Sequence, residues 1–343
     1  MTRATHFFAI LIVVFYTAFA SAQTPHNHGF LWTPTEGLVD LGVPDGWTDS
    51  IALAISHSGH VAGYVVNQTQ SHYNVVAAAW SPQHGWIPLK KGLSGIFSFA
   101  TAVNDFQQIV GGTYTTGTTE HAFLWNPATG MQDLGTLGGD FSVAYGINQL
   151  GQVVGQSTTA SGAFHAFLWT AAGGMQDLGA LNVGADSASI AYAISDNGLI
   201  VGASIGRHGV NLATLWVNGQ IHVLKHLGTV PNSTAFAINA AGQVVGAETP
   251  SMPIKDSDPF SWTLPGGVMK LKFLYGALSG SAAAVNASSQ AAGWCVMYDG
   301  SNQAVLWQSD GTVQALGTLG GPDSTAQAIN DAGTVVGYGD EFF

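Results

Sequence analysis

The segment AINDAGTVVGYG (Ala328–Gly339) decides the fold, because close copies of it recur along the chain. GINQLGQVVGQS (Gly146–Ser157), AISDNGLIVGAS (Ala193–Ser204) and AINAAGQVVGAE (Ala237–Glu248) share its apolar, turn and glycine positions. Each of those three leads into a run ending in Trp, such as HAFLW (His165–Trp169) or ATLW (Ala213–Trp216). The copy at Ala328–Gly339 is followed only by DEFF.

Seven such tryptophans, Trp32, Trp80, Trp125, Trp169, Trp216, Trp262 and Trp307, stand 44 to 48 residues apart. That period suits four short strands per unit, the blade of a β-propeller. Register is set by Asn330 and its counterparts Ser56, Asn104, Asn148, Ser195, Asn239 and Asn286. Four residues before each stands an alanine, and six before stands a serine in every copy except one, which has Gly280. Larger residues such as Tyr145 and Tyr192 alternate with these small ones, the period-two signature of a strand with two distinct faces. A small-residue row suits the innermost strand, A, where blades converge. Turns such as NQLG then lead to strand B, which carries a glycine seven residues past each anchor, from Gly63 to Gly337. HAFLW and its relatives form strand C, and MQDLG and its relatives strand D. Gln152, just past its turn, is expected at the surface.

The N-terminal HGFLW and GLVDLG supply a C and D pair, while Ser324–Gly339 supply an A and B pair. The expected fold is therefore all-β: a seven-bladed β-propeller of four-stranded blades over residues 23–343, closed by a composite blade of N- and C-terminal strands.

The joint pattern of HAFLW, GMQDLGTLGG and the glycine-bearing strand B resembles the HAF family of probable extracellular repeat proteins. The likeness is sharpest at His121–Gly155 and His165–Gly202, and weaker where HGF, AAA and PFS replace the tripeptide. The resemblance implies bacterial export and a repeat architecture, and carries no activity onto particular residues.

Composition narrows the function. Eight Lys and Arg against twenty Asp and Glu give a formal charge of −12, which disfavours nucleic acid and anionic lipid as partners. Residues 1–22 read as a signal peptide: Arg3, an apolar run, then Ala20-Ser21-Ala22. A secreted or periplasmic monomer is expected, not inserted in a membrane after cleavage. The lone Cys295 permits no intrachain disulfide and reads as a small buried hydrophobe.

Catalytic strings are sparse. Gly202-Ala203-Ser204-Ile205-Gly206 matches G-x-S-x-G but lacks the strand-to-helix setting a nucleophile elbow needs. His121 and His165 are explained by repeat position, and His26 with His28 alone do not make a zinc site. Lys90, Lys91, Lys225, Lys270 and Lys272 fall at strand D, where they guard an exposed edge. The acids fall elsewhere: Asp45, Asp49, Asp140, Asp186 and Asp323 in the D-to-A crossings, and Glu120, Asp256, Asp258 and Asp299 in the B-to-C loops. Both loop classes emerge at one end of the channel, so Asp49, Asp140, Asp186 and Asp323 are expected to form a rim with Trp47 and Phe141. Such a rim suits a cationic partner, Ca²⁺, or a sugar stacked on the aromatics; as turn formers, the acids would simply accept backbone N–H bonds. No cofactor other than this Ca²⁺ is expected. The leading function is a non-catalytic binding module for a glycan or an exported protein. Alternatives are a hydrolase or lyase using loop carboxylates such as Asp140 and Asp186, or a purely structural envelope component.

Overall fold

The computed structural model describes residues 26–68, 73–89, 93, 97–115, 119–181, 187–206, 209–225, 231–250 and 257–341. The leader and Lys90, Lys91, Asp186 and Asp256 lie outside them. Among the described residues, twenty-eight strands, β1 to β28 in chain order, form seven antiparallel four-stranded sheets. The chain is a seven-bladed β-propeller. One blade shows the plan: β11 (Gly138–Ile147), β12 (Val153–Thr159), β13 (Phe164–Thr170) and β14 (Gly174–Asp177) pair in sequence order from axis to rim. No helix among the described residues is long and apolar enough to cross a membrane.

The ring closes as the sequence predicts. β1 (His26–Thr33) and β2 (Gly37–Asp40) join β27 (Ser324–Ile329) and β28 (Val335–Glu341) in one sheet. β1 and β28 pair over seven positions, from His26 opposite Glu341 to Trp32 opposite Val335.

Inner strands depart from plain alternation. All seven carry a register shift at one place, for example between Ala144 and Gly146 or Ala191 and Ala193, which leaves Tyr145 or Tyr192 unpaired in a β-bulge. The bulge explains the strand-B glycine. A Cβ on Gly155 would collide with the carbonyl oxygen of Val143, and the other six strand-B glycines meet the same inner-strand carbonyl. Close backbone approach, rather than a turn, demands glycine here.

The core lies between blades. Val110, Ala122 and Leu134 of one blade pack with Ala144, Val153 and Phe167 of the next. The inner-strand alanines, from Ala52 to Ala326, are all 0% exposed, so there is no room for a larger residue.

Each residue of the HAF tripeptide has a separate task. Phe167 is fully buried, and its ring sits over Gly155 at 2.8 Å from where a Cβ would lie. Burying such a ring contributes roughly 1.5–3 kcal/mol. The backbone N–H of Ala166 donates to Ser189 Oγ of the next blade at 2.8 Å, and that hydroxyl donates onward to the carbonyl of Gly179. The inner-strand serine receives the same bond from Gly29, Ala77, Ala122, Ala213 and Ala304. His165 Nδ1 meets Asp177 of the neighbouring outer strand at 2.9 Å, as His121 meets Asp133 at 2.8 Å.

The exceptions correlate. Where Gly280 replaces the inner-strand serine, the facing residue is Pro259, which has no N–H to donate; Ser257 bonds both backbone groups of Gly280 instead. Where Asp258 replaces the histidine, Lys270 replaces the aspartate, at 2.8 Å. Lys270 is thus paired across the hairpin rather than serving only to guard an edge. Gln152 likewise is not a bare surface residue: its Oε1 accepts the Asn148 side-chain amide at 2.7 Å, because a polar group next to the buried anchor is needed to satisfy it.

Candidate functional site

The bulge aims one inner-strand residue of each blade at the central channel. Leu53, Phe236 and Gln327, all bulge residues, line a cavity of about 420 Å³. Tyr192, at the same position, packs against Phe236 and against Tyr145, with ring centroids 5.4 Å apart in each pair. The ladder of Tyr145, Tyr192 and Phe236 makes the channel asymmetric. Its wall is rich in ring faces: Tyr64, Tyr73, Phe99, Phe236, Trp294 and Tyr338. Between them stand uncharged hydrogen-bonding groups, Asn211, Asn232, Asn302 and Gln327, together with Thr234 and Thr249. Among the described residues, none that lines the cavity is charged.

The cavity opens toward the B-to-C and D-to-A end of the blades. Ser257, before β21, and Phe97, before β7, come from the connections, while Tyr73 and Asn211 open C strands and Asn232 lies near the start of an A strand. Two tyrosines stand exposed in the same loops, Tyr275 fully and Tyr298 at 83%, joined by a Tyr298 N–H to Gly276 carbonyl bond.

The described acids expected at the rim stand behind or beside this cavity rather than in its wall. Asp49 accepts the Asn27 N–H at 2.9 Å and the Thr48 hydroxyl at 2.6 Å. It lies near enough to Tyr73 and Tyr64 that its charge, after burial, pushes up both phenol pKa values. Asp323 accepts the Asn302 N–H at 2.6 Å and adjoins Asp340. Burial first, and then the Asp323 charge, push the Asp340 carboxyl up to about 6. Asp140 is exposed. Phe141 packs edge-on against Phe164 with centroids 5.7 Å apart. Trp47 packs on the inter-blade cluster of Leu41, Ala52 and Trp86.

One carboxyl comes close to the wall residue Phe99. Glu120 opens β9 (Glu120–Asn126), and its Oε1 would lie 2.6 Å from a Cβ on Gly112, with the Phe99 ring at 2.9 Å from the same point. Burial pushes the Glu120 carboxyl up to about 7, and its charge opposes ionisation of Tyr145. Glycine at position 112 leaves the space this side chain fills. The other chemistry-bearing groups are spent on structure. Ser204 is buried within its strand, donating to the Ala188 carbonyl at 3.0 Å and accepting the Leu181 N–H at 2.9 Å. Cys295 is buried, which pushes its thiol pKa up.

No family model and no curated protein matches this sequence. Among solved structures the chain is similar to TolB from Acinetobacter baumannii, with a TM-score of 0.51 at 13% identity, over 83% of this chain and 65% of that one. It is similar also to virginiamycin B lyase from Staphylococcus aureus (TM-score 0.47, 11% identity, 92% and 99% covered). The BP39L lectin from Burkholderia pseudomallei is a third (TM-score 0.45, 10% identity, 87% and 95% covered). At these identities the likeness is one of fold, the propeller scaffold.

Proposed function

We propose that this protein is an exported binding module that takes an uncharged, ring-bearing ligand, a glycan, at the mouth of its central channel. The observation that carries the reading is the cavity wall: aromatic faces alternating with amides and hydroxyls, with no charged side chain among the described lining residues. Sugar rings present apolar C–H faces to aromatic rings and hydroxyls to amides, so this wall complements them. Tyr275 and Tyr298 extend the aromatic surface outward. Export is supported by the leader-like residues 1–22, and membership of the HAF repeat proteins by the motifs at His121–Gly155 and His165–Gly202.

Glu120 supports a rival reading. A buried carboxyl beside the wall residue Phe99, with a pKa near neutrality, is suited to general acid or base catalysis. Screening the purified protein against neutral and charged glycans, with product analysis of every hit, separates the two. Binding of neutral glycans without turnover is expected; turnover abolished by Glu120→Gln would replace the binding-module reading with the enzymatic one.

A further inference from the structure

We infer that the composite blade carries a site for a zinc-class divalent metal ion, formed by His28, Asp40 and Glu341. These residues come from three strands, β1, β2 and β28, and from both ends of the sequence. One donor atom from each lies within 4.8 Å of the other two. His28 Nδ1 stands 3.0 Å from Asp40 Oδ2 and 2.9 Å from Glu341 Oε2, and the histidine is 5% exposed.

The comparison with sister blades isolates what is special. His121 with Asp133, and His165 with Asp177, repeat the first two members of the set. At the position of Glu341 the other blades have Asn67, Thr115, Thr159, Gly206, Pro250 and Met297. None is acidic. Among the described residues, only the blade that is closed without a covalent link between its inner and outer halves brings a second carboxylate to the histidine.

The donor set selects the metal. An imidazole nitrogen with two carboxylates suits zinc and its transition-metal neighbours, whereas Mg²⁺ and Ca²⁺ prefer oxygen alone. Zinc bonds of about 2.0–2.2 Å to nitrogen and oxygen need separations only about half an ångström wider than those His28 now makes with each carboxylate. The fourth position would fall to water. Because the ligands span β1, β2 and β28, binding would clamp the ring shut, and ligation would add to folding stability.

The test uses the full mature chain, stripped with chelator and titrated with Zn²⁺ by calorimetry and by thermal melting. One ion per chain and a raised Tm are expected. Asp40→Asn and Glu341→Gln should each weaken binding at least tenfold, and His28→Ala should abolish it. His121→Ala, which removes the sister histidine, should leave affinity within twofold. Should His28→Ala fail to fold, the near-isosteric Glu341→Gln variant decides the matter alone. Zn²⁺ affinity unchanged in Glu341→Gln, or no stoichiometric binding by the parent chain, would overturn the site and leave the trio as an ion-paired clasp. Neither result bears on glycan binding, which occurs in the channel.

Discussion

Asn330 donates its side-chain amide to the backbone carbonyl of Ser56, 274 residues earlier, at 3.4 Å. This bond is the closing member of a series. Asn104 reaches the carbonyl of Asn148, Asn148 that of Ser195, Asn239 that of Asn286, and Asn286 that of Asn330. The buried amides thus tie five of the seven A-to-B turns to the next around the ring. Removing one by Asn148→Ala leaves buried partners unsatisfied and should cost about 1–3 kcal/mol, read as a lowered denaturation midpoint.

The series breaks where serine holds the anchor, and Ser56 can be repaired. Ser56 Oγ accepts the His60 N–H, just as Asn148 Oδ1 accepts that of Gln152. Ser56→Asn keeps that bond and adds an amide aimed at Asn104. A gain in stability on the order of 0.5–1.5 kcal/mol is expected, read as a raised Tm; a lowered Tm would show that the serine blade cannot host the amide.

The bulge and its glycine should tolerate nothing larger. Gly155→Ala drives a methyl into the Val143 carbonyl, and Ala144→Leu overfills a position with no exposed surface. Each should cost ~2–3 kcal/mol or more. Leu150→Ala, at a residue 71% exposed on a turn, should be near neutral. Chemical denaturation of the three variants checks the register.

The acids divide by their bonds. Asp49→Ala and Asp323→Ala each remove an acceptor from a backbone N–H and should destabilise by about 1–2 kcal/mol. Asp140→Ala, at an exposed side chain, should not change Tm. If all three left Tm unchanged while ligand binding was lost, the rim acids rather than the channel wall would be the site.

Glu120 sets a pH dependence. Folding raises its pKa from 4.5 to about 7, so the folded chain holds the extra proton between those values. The penalty for the buried charge is absent below about pH 4.5, and stability falls as pH rises through about 7. Glu120→Gln removes the penalty. At pH 8 the variant should be more stable than the parent by on the order of 3 kcal/mol, with the gap closing towards pH 5. A constant gap across that range would place the carboxyl in water.

The fold was legible because its determinants repeat. Trp169, Gly155, Ala144 and Ser142 each serve one packing task that all blades share, so periodicity exposes them. Correlated exceptions were harder: Gly280 looked like a defect until Pro259, lacking an N–H, was seen to face it. The bulge was hidden because it changes the pairing without changing the small-residue pattern. The cavity was hidden for the opposite reason. Its lining positions hold Leu53, Phe236 and Gln327 at equivalent places, and variation of that kind leaves no repeat signal. The proposed site sits on the positions that the repeat does not constrain.

A ligand seated at the channel mouth should lose affinity when the mouth is filled. Once a neutral glycan is identified, calorimetric titration of three variants tests this most directly. Thr249→Trp, at an exposed lining position, should fill the mouth and weaken binding at least tenfold, with Tm nearly unchanged. Tyr73→Ala, which removes a half-exposed ring from the wall, should weaken it by about 1–2 kcal/mol, and Asp140→Asn should leave it as it was. Full affinity in Thr249→Trp, with loss in Asp140→Asn, would contradict the account and move the site to the acidic rim.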